Sequence, residues 1–236
     1  MSKKTWIIFA AVCVVLLGGL VYVSSKDRIN LDNVDTNAVQ KANEQSGGIG
    51  DHVYGKADSK VMLVEYGDFQ CPGCRAAYGS VKSVTEKYKE HLAFVFRNFP
   101  LSSLHPNART AAAAAEAAGL QGKYWEMHDA LYENQSAWEN AAADKRTEIF
   151  ADYATTLGLD IEKFKTDLIS PEINKKINYD QAIGKKLGVS ATPTFYLNGK
   201  KAESIYNNQG GIDQEKLDKA VREALEGAGI QLSKDE

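Results

Sequence analysis

The distribution of hydrophobic and polar positions divides the chain into three parts. Residues 6–23, WIIFAAVCVVLLGGLVYV, are uninterrupted by any charged side chain. Residues 24–50 are polar, rich in Asn, Asp and Ser, and end in Gly-Gly-Ile-Gly. Beyond them, short β-rich runs alternate with segments of helical periodicity, which is typical of an α/β protein. We therefore predict an apolar N-terminal segment, a polar linker over 24–50, and a folded domain over residues 51–230.

The start of the folded domain is predicted to be a βαβ unit. The run VMLVEY, residues 61–66, is short and apolar, as in a strand buried on both faces. Ala77, Val81 and Val84 follow at helical spacing, and HLAFVFRNF, residues 91–99, supplies a second strand. Such a crossover is right-handed and leaves its two strands parallel.

The remainder of the domain is predicted to be a helical insert followed by a hairpin and a last helix. Residues 102–188 carry helical patterns throughout, including the alanine-rich PNARTAAAAAEAAG. In TPTFYLNGKKAESIY, the pair Asn198-Gly199 is a strong hairpin-turn signal. A final helix is predicted over 213–226, with Asp213 as its N-cap.

Composition and charge change this picture little. The chain has 236 residues, of which 44% are hydrophobic and 25% charged, and its formal net charge is -3. Proteins that bind nucleic acids usually carry a basic surplus, so no nucleic-acid partner is predicted.

The apolar N-terminal segment is interpreted as a transmembrane anchor. As a helix, residues 6–23 would span roughly 27 Å, close to the hydrocarbon thickness of a bilayer. A cleaved signal peptide is the alternative, because Val23-Ser24-Ser25 is a tolerable cleavage site, although the apolar core of a signal peptide is usually shorter, about 7 to 15 residues. Basic residues flank the segment on both sides, so the positive-inside rule gives almost no orientation.

Cys71 and Cys74 stand where the first predicted strand passes into the first helix. A zinc site needs about four ligands, and the four histidines are scattered through unrelated elements. A structural disulfide across so short a loop would constrain the unfolded chain very little. At a helix N-terminus, by contrast, a Cys71 thiolate is stabilised by unpaired N–H groups, and Cys74 can resolve a mixed disulfide. A redox pair is therefore favoured, and no metal or cofactor is predicted.

Three segments of the chain resemble the DsbA-like branch of the thioredoxin superfamily, in particular its membrane-tethered or secreted bacterial members. The segments are VMLVEYGDFQCPGC, FRNFPLSSLHPNARTAAAAAEAAGLQGKYWEMHDALYENQ and LGVSATPTFYLNGK, and they occur in the family's order. The resemblance implies an α/β thioredoxin fold with an all-helical insert, here preceded by an N-terminal transmembrane helix. It also implies thiol–disulfide exchange.

The resemblance assigns roles to individual positions. Cys71 matches the nucleophile and Cys74 the resolving cysteine, which together form a redox-active disulfide. Thr192-Pro193 matches a loop with a cis proline that lies beside the cysteines and presents its backbone to an extended substrate. The implied substrate-binding residues are Thr192, Pro193, Pro72 and Gly73.

Glu65 is the third predicted catalytic residue. It is the only charged side chain in the first predicted strand, and it matches the family's acidic residue beneath the active site. One interpretation is a strand-end carboxylate in water; the other is a partly buried group that relays the Cys74 proton. Trp125 and His128 are predicted to pack the insert, and His105 to begin a helix.

The favoured function is introduction of disulfides into secreted or surface proteins, with cysteine-containing substrates bound in extended conformation. A disulfide reductase or isomerase, and a tethered binding module without activity, are the alternatives. Disulfide chemistry needs an oxidising compartment, so the domain is predicted to face outward, with residues 1–5 in the cytoplasm and residues 6–23 in the lipid bilayer. A membrane redox partner that reoxidises the pair is also predicted.

Overall fold

The computed structural model describes residues 3–26 and 29–233, which fall into two compact units. The first unit contains helix α1, Lys3–Lys26. Within the described residues, we find no helix that is both long and apolar enough to cross a membrane. The transmembrane anchor predicted over residues 6–23 is thus not confirmed.

The second unit begins at Val34 and is built around a mixed five-stranded sheet. Its strands are β1 (Val53–Gly55), β2 (Val61–Gly67), β3 (Leu92–Asn98), β4 (Thr194–Leu197) and β5 (Lys200–Lys201). They are ordered β1-β3-β2-β4-β5, and only the β2–β3 pair is parallel. All seven residues of β2 are buried, as its apolar sequence predicted. The predicted βαβ unit is confirmed.

Helices cover both faces of this sheet. They are α2 (Pro72–Lys87), α3 (Ala108–Gly119), α4 (Tyr124–Glu133), α5 (Gln135–Trp138), α6 (Ala143–Thr156), α7 (Ile161–Leu168), α8 (Pro171–Lys186) and α9 (Gln214–Gly227). Helices α3 to α8 lie consecutively between β3 and β4, which confirms the all-helical insert predicted over 102–188. Asp213 caps α9 by accepting a hydrogen bond from the backbone N–H of Lys216.

The hairpin and the first strand differ in detail from the predicted elements. Asn198 and Gly199 form the β4–β5 turn with φ of 47° and 74°, the backbone that Asn-Gly turns adopt readily. The strand after this turn is only two residues long, because a short 3₁₀ helix, Glu203–Ile205, follows it. Strand β1 was not predicted; it pairs with β3 through Val53 opposite Val95.

Two hydrophobic cores flank the sheet. One lies inside the insert and contains the fully buried Trp138 and Phe150. The other joins α2 and α9 to the opposite face of the sheet, through Val81, Leu217 and Val221. Cys74 belongs to the first core. The start of α2 is therefore fixed by packing on more than one side.

The structure departs from the predicted linker over 24–50 at its C-terminal part. Residues 34–50 lie in the same unit as the sheet. The buried guanidinium of Arg97, on β3, donates hydrogen bonds to the backbone oxygens of Thr36 and Ala38 at 3.0 and 2.8 Å. These contacts order a polar segment that buries little apolar surface of its own.

Candidate active site

Cys71 occupies the N-cap position of α2. Its backbone is extended (φ -68°, ψ 124°), and Pro72 takes the first helical position, where the missing N–H of proline costs nothing. The backbone N–H of Cys71 donates to the Asp68 carbonyl oxygen at 3.0 Å. Its side chain thus lies beside the unpaired N–H groups of the first helical turn, which favour a negative charge.

The two cysteines have opposite acid–base properties. Both are free thiols in this structure, with Cys71 7% exposed and Cys74 fully buried. A hydrogen bond from the Cys74 thiol, helped by Thr192 and by backbone N–H groups, outweighs burial and lowers the pKa of Cys71 from 9.0 to about 5. Burial, together with that same hydrogen bond, raises the pKa of Cys74 well above 9.0. At neutral pH the pair therefore consists of a thiolate and a neutral thiol.

The loop that contains Thr192 and Pro193 packs against this pair. The peptide bond between them is cis. Cys71 Sγ lies 3.3 Å from the Thr192 carbonyl oxygen, to which it donates a hydrogen bond when it is protonated. A methyl group added at Gly73 would lie 3.4 Å from Pro193 Cδ and 3.6 Å from Cys71 Sγ. The structure thus gathers the predicted substrate-binding positions, Pro72 included, around Cys71; their role in binding stays a prediction.

Glu65 is buried beneath the cysteine pair. It is 3% exposed and lies in β2 between Phe96 and Phe195 of the neighbouring strands. Burial and the charge on Cys71 raise the pKa of Glu65 to about 8, and the charge on Glu65 in turn raises the pKa of Cys74. The interpretation of Glu65 as a strand-end carboxylate in water is therefore wrong. Its role as a proton relay stays a prediction.

Replacing Glu65 by glutamine should slow the step in which Cys74 gains or loses its proton. The amide cannot exchange a proton with the Cys74 sulfur, so we expect a rate loss of about 10²-fold, at the lower end for general acid–base catalysis. Stopped-flow oxidation of the reduced protein by a disulfide measures this rate. Attack by Cys71 should keep its rate; equal slowing of both steps would contradict the assignment.

A set of amide side chains fixes the loop before α2. Gln135 Nε2 donates to the carbonyl oxygens of Phe69 and Cys71 at 2.7 and 3.3 Å. Gln70 accepts from the backbone N–H of Asn107 and donates to the Glu139 carbonyl, both at 2.6 Å. These residues were not predicted from the sequence, because isolated amides in helices and loops have no pattern that indicates their partners.

Asp68 links the same loop to the segment after β3. Its carboxylate accepts hydrogen bonds from the backbone N–H groups of Gln70 and Leu101, both at 2.8 Å. His105 Nδ1 lies 2.8 Å from Asp68 Oδ2. His105 was predicted only to begin a helix; α3 instead begins at Ala108, and His105 contacts the active-site loop.

Among residues 3–26 and 29–233, no cluster of three or more His, Cys, Asp or Glu side chains is placed to hold a metal ion. The chemistry available at this site is that of a polarised dithiol next to a buried carboxyl group. Such a dithiol can attack a disulfide, or form one and be attacked.

Comparison with known protein sequences gives relatives that are longer than this chain. It is 39% identical over 151 residues to Na(+)/H(+) antiporter NhaA 1 of Mycolicibacterium vanbaalenii, covering 63% of this chain and 23% of that protein. It is 36% identical over 185 residues to the NhaA 1 of Salinispora arenicola, covering 78% of this chain and 26% of that protein. The chain thus spans about a quarter of the length of these relatives.

Solved structures match over most of their length. A thioredoxin-like oxidoreductase from Silicibacter pomeroyi is 28% identical, with a TM-score of 0.59 over 76% of this chain and 92% of that one. BdbD from Bacillus subtilis (oxidised) is 22% identical, with a TM-score of 0.63 over 80% of this chain and 98% of that one. The thiol-disulfide exchange protein alpha-DsbA2 from Wolbachia pipientis is 24% identical, with a TM-score of 0.60 over 72% of this chain and 85% of that one.

The family model described as Thioredoxin matches residues 48–223, about three quarters of the chain. That match includes the cysteine pair, Glu65, the helical insert and the Thr192–Pro193 loop. The chain therefore belongs to the thioredoxin family, and its fold is that of the DsbA-like thiol–disulfide oxidoreductases.

Proposed function

We propose that this protein introduces disulfides into cysteine-containing proteins outside the cytoplasm, through the Cys71–Cys74 pair. The observation that carries the proposal is the position of Cys71 at the N-terminus of α2, beside the Cys74 thiol. The hydrogen bond from Cys74, helped by backbone N–H groups of the first turn, lowers the pKa of Cys71 to about 5 and stabilises its thiolate. Stabilising the thiolate stabilises the reduced protein, and a stable reduced form makes the disulfide a stronger oxidant.

In the proposed reaction the oxidised pair receives two electrons from a substrate dithiol. A substrate thiolate attacks Cys71 Sγ, the bond between the two cysteines breaks, and Cys74 leaves with the electron pair and takes a proton from Glu65. The second substrate sulfur, as a thiolate, then attacks the first and expels Cys71 as a thiolate. The substrate gains one disulfide, and the protein is left as the thiolate and thiol described above.

Substrate proteins are proposed to bind in extended conformation beside the Thr192–Pro193 loop, which contacts Cys71 directly. Disulfides persist in oxidising compartments, which supports a location outside the cytoplasm. Repeated turnover needs an electron acceptor for the reduced pair; the proposed acceptor is a membrane redox partner. Attachment through residues 6–23 is part of the same proposal.

The direction of electron flow can be tested by unfolding both redox forms at several pH values. The folded pKa of Cys71 lies below the unfolded value of about 8.5. Its stabilisation of the reduced protein is thus fully present above pH 8.5 and is lost as the pH falls through about 5. After allowance for solvent screening, the stability of the reduced form relative to the oxidised form should rise by about 2 kcal/mol between pH 5 and pH 8.

Urea unfolding of the two forms measures this difference, and a redox titration of the pair gives the corresponding potential. Closing the short disulfide loop changes the stability of the oxidised form by an amount that does not depend on pH. The test therefore rests on how the stability difference between the two forms changes with pH. Cys71→Ser forms no Cys71–Cys74 disulfide, so this control is compared with the reduced wild type alone. Its free energy of unfolding should lack the part of the pH dependence that Cys71 contributes. If the stability of the wild-type reduced form relative to the oxidised form stays constant or falls between pH 5 and pH 8, a disulfide reductase would be favoured over the proposed oxidase.

A further inference from the structure

A narrow cavity of about 40 Å³ lies between α2, α4 and the sheet, and Glu65 forms part of its wall. One water molecule needs about 10–15 Å³ measured in this way, so the cavity has room for two or three. Lys82 and Asp129 also line it, and their side chains are 49% and 31% exposed. The cavity therefore extends from the buried carboxyl group of Glu65 towards solvent.

Two of the residues that line this cavity carry a buried polar atom with no hydrogen-bond partner among the described residues. These atoms are Trp125 Nε1 and His128 Nε2. His128 is only 5% exposed and packs among aromatic rings, with the rings of Phe96 and Tyr132 centred 5.0 and 5.1 Å away. Buried polar groups in native proteins are satisfied by protein or by ordered water. A water molecule in the cavity would supply the missing partner for both atoms.

The other ring nitrogen of His128 contacts the partly exposed side chain of Asp129. Its Nδ1 lies 3.0 Å from Asp129 Oδ1, and Asp129 Oδ2 lies 2.7 Å from Lys82 Nζ. Burial lowers the pKa of His128, so the ring is neutral at pH 7. With the Asp129 carboxylate accepting from Nδ1–H, Nε2 is left as a buried acceptor on a residue that lines the cavity. A neutral imidazole in this state can take a proton on Nε2 and release one from Nδ1.

We propose that His128 relays protons between Glu65 and solvent by way of cavity water and Asp129. The proposal rests on the proposed thiol–disulfide chemistry and adds a residue to it. Glu65 has a pKa of about 8 and is mostly protonated at pH 7, so it must lose its proton before it can accept one from Cys74. The route to solvent through His128 lets it do so.

The step that depends on this relay is closure of the Cys71–Cys74 disulfide. The Cys71 thiolate attacks oxidised glutathione, forms a mixed disulfide and releases one glutathione thiolate. Cys74 then gives its proton to Glu65, and its sulfur attacks Cys71 Sγ and releases the second glutathione thiolate. Glutathione disulfide gains two electrons, the cysteine pair loses two, and the Cys74 proton leaves through Glu65, water, His128 and Asp129.

The relay can be tested with the full chain by acid quench and mass spectrometry during oxidation by glutathione disulfide. In His128→Phe, the Cys71–glutathione adduct should form at the wild-type rate but close about tenfold more slowly at pH 7. Above pH 9, where Glu65 is already deprotonated, the adducts of the variant and the wild type should close at the same rate. Wild-type protein that forms no adduct at all would instead refute the underlying oxidoreductase function.

Few other groups around His128 titrate over this pH range. The titratable and charged side chains around it and along the cavity are Tyr54 on β1, Glu65 on β2, Tyr78 and Lys82 on α2, and Tyr124, Asp129 and Tyr132 on α4. Burial raises the pKa values of Tyr78, Tyr124 and Tyr132, and the acidic and phenolic partners of Lys82 outweigh burial and raise its pKa. Hydrogen bonds from His128 and Lys82 outweigh burial and lower the pKa of Asp129. A change in the closure rate near pH 8 therefore reflects the titration of Glu65.

Asp129→Asn tests the same route without disturbing the aromatic cluster. It should slow closure of the adduct at pH 7 as His128→Phe does, because the amide cannot accept the Nδ1 proton. Asp152→Asn, on an exposed residue of α6, is the matched control and should close at the wild-type rate. Closure at the wild-type rate in His128→Phe or in Asp129→Asn, or equal slowing at pH 7 and above pH 9, would overturn the proposal.

Discussion

Replacing Cys74 by serine should leave protein substrates attached to Cys71 as mixed disulfides, whereas replacing Cys71 by serine should leave none attached. The asymmetry follows from the two pKa values: Cys71 is a thiolate at neutral pH, and Cys74 is a buried neutral thiol. Attack through Cys71 can begin without Cys74, but the resulting mixed disulfide cannot be resolved. We expect an all-or-none difference between the two variants.

Serine is the substitution to use because its hydroxyl can still donate a hydrogen bond to Cys71. That bond is the largest single cause of the lowered pKa of Cys71. In Cys74→Ala it is lost, so the pKa of Cys71 should rise and trapping at pH 6 should be slower than in Cys74→Ser. Non-reducing gels and mass spectrometry of adducts released by dithiothreitol give the comparison. Adducts on Cys71→Ser would show that the two roles are reversed.

The position of the cysteine pair could be predicted because local signals agree there. A buried strand, a proline suited to the first helical turn and two cysteines three positions apart all indicate the same strand–helix junction. The Asn198-Gly199 turn and the alanine-rich start of the insert are equally local. In each case the conformation is determined by neighbouring residues, so a short stretch of sequence suffices.

The rest of the site depends on contacts between distant parts of the chain. His128 was predicted to pack the insert, and its ring does so. Its place beside the cavity that Glu65 also lines comes from the packing of α4 against the sheet, which no local pattern predicts. Strand β1 is three residues long, too short for any periodicity to identify. Residues 34–50 are held in part through the backbone carbonyls of Thr36 and Ala38, which accept hydrogen bonds from Arg97 and which no side-chain pattern predicts.

The role of Lys176 could not be predicted from the sequence either, because its position on α8 resembles that of an ordinary surface lysine. It is 1% exposed, and its Nζ lies 3.0 Å from Asp51 Oδ1 and 2.7 Å from Asp180 Oδ1. Asp51 also contacts Arg97 Nη2 at 2.9 Å. This buried cluster connects α8 to β3 and to the end of the ordered polar segment. Both carboxylates are fully buried, so bulk water would not take the place of a lost cation.

Lys176→Met should therefore destabilise the protein by about 3–5 kcal/mol, the cost of removing one partner from a buried ion pair. The methionine fills much of the same space, so the loss comes from the two carboxylates left without their shared cation. Lys175→Met is the matched control, since Lys175 is exposed on the same helix and its replacement should change stability by about 0.5 kcal/mol or less. Urea unfolding at pH 7 measures both.

The pH dependence of the Lys176→Met variant separates lost charge pairing from lost packing. Burial raises the pKa of Asp180 to about 6 even though the charge of Lys176 opposes the shift, so removal of Lys176 should raise it further. A carboxyl group with a raised folded pKa contributes stability at low pH that is lost as the pH rises through that pKa. The deficit of the variant relative to wild type should therefore shrink as the pH falls from 7 towards 5. A deficit that stays constant over this range would mean that packing, and not the buried cation, accounts for the loss.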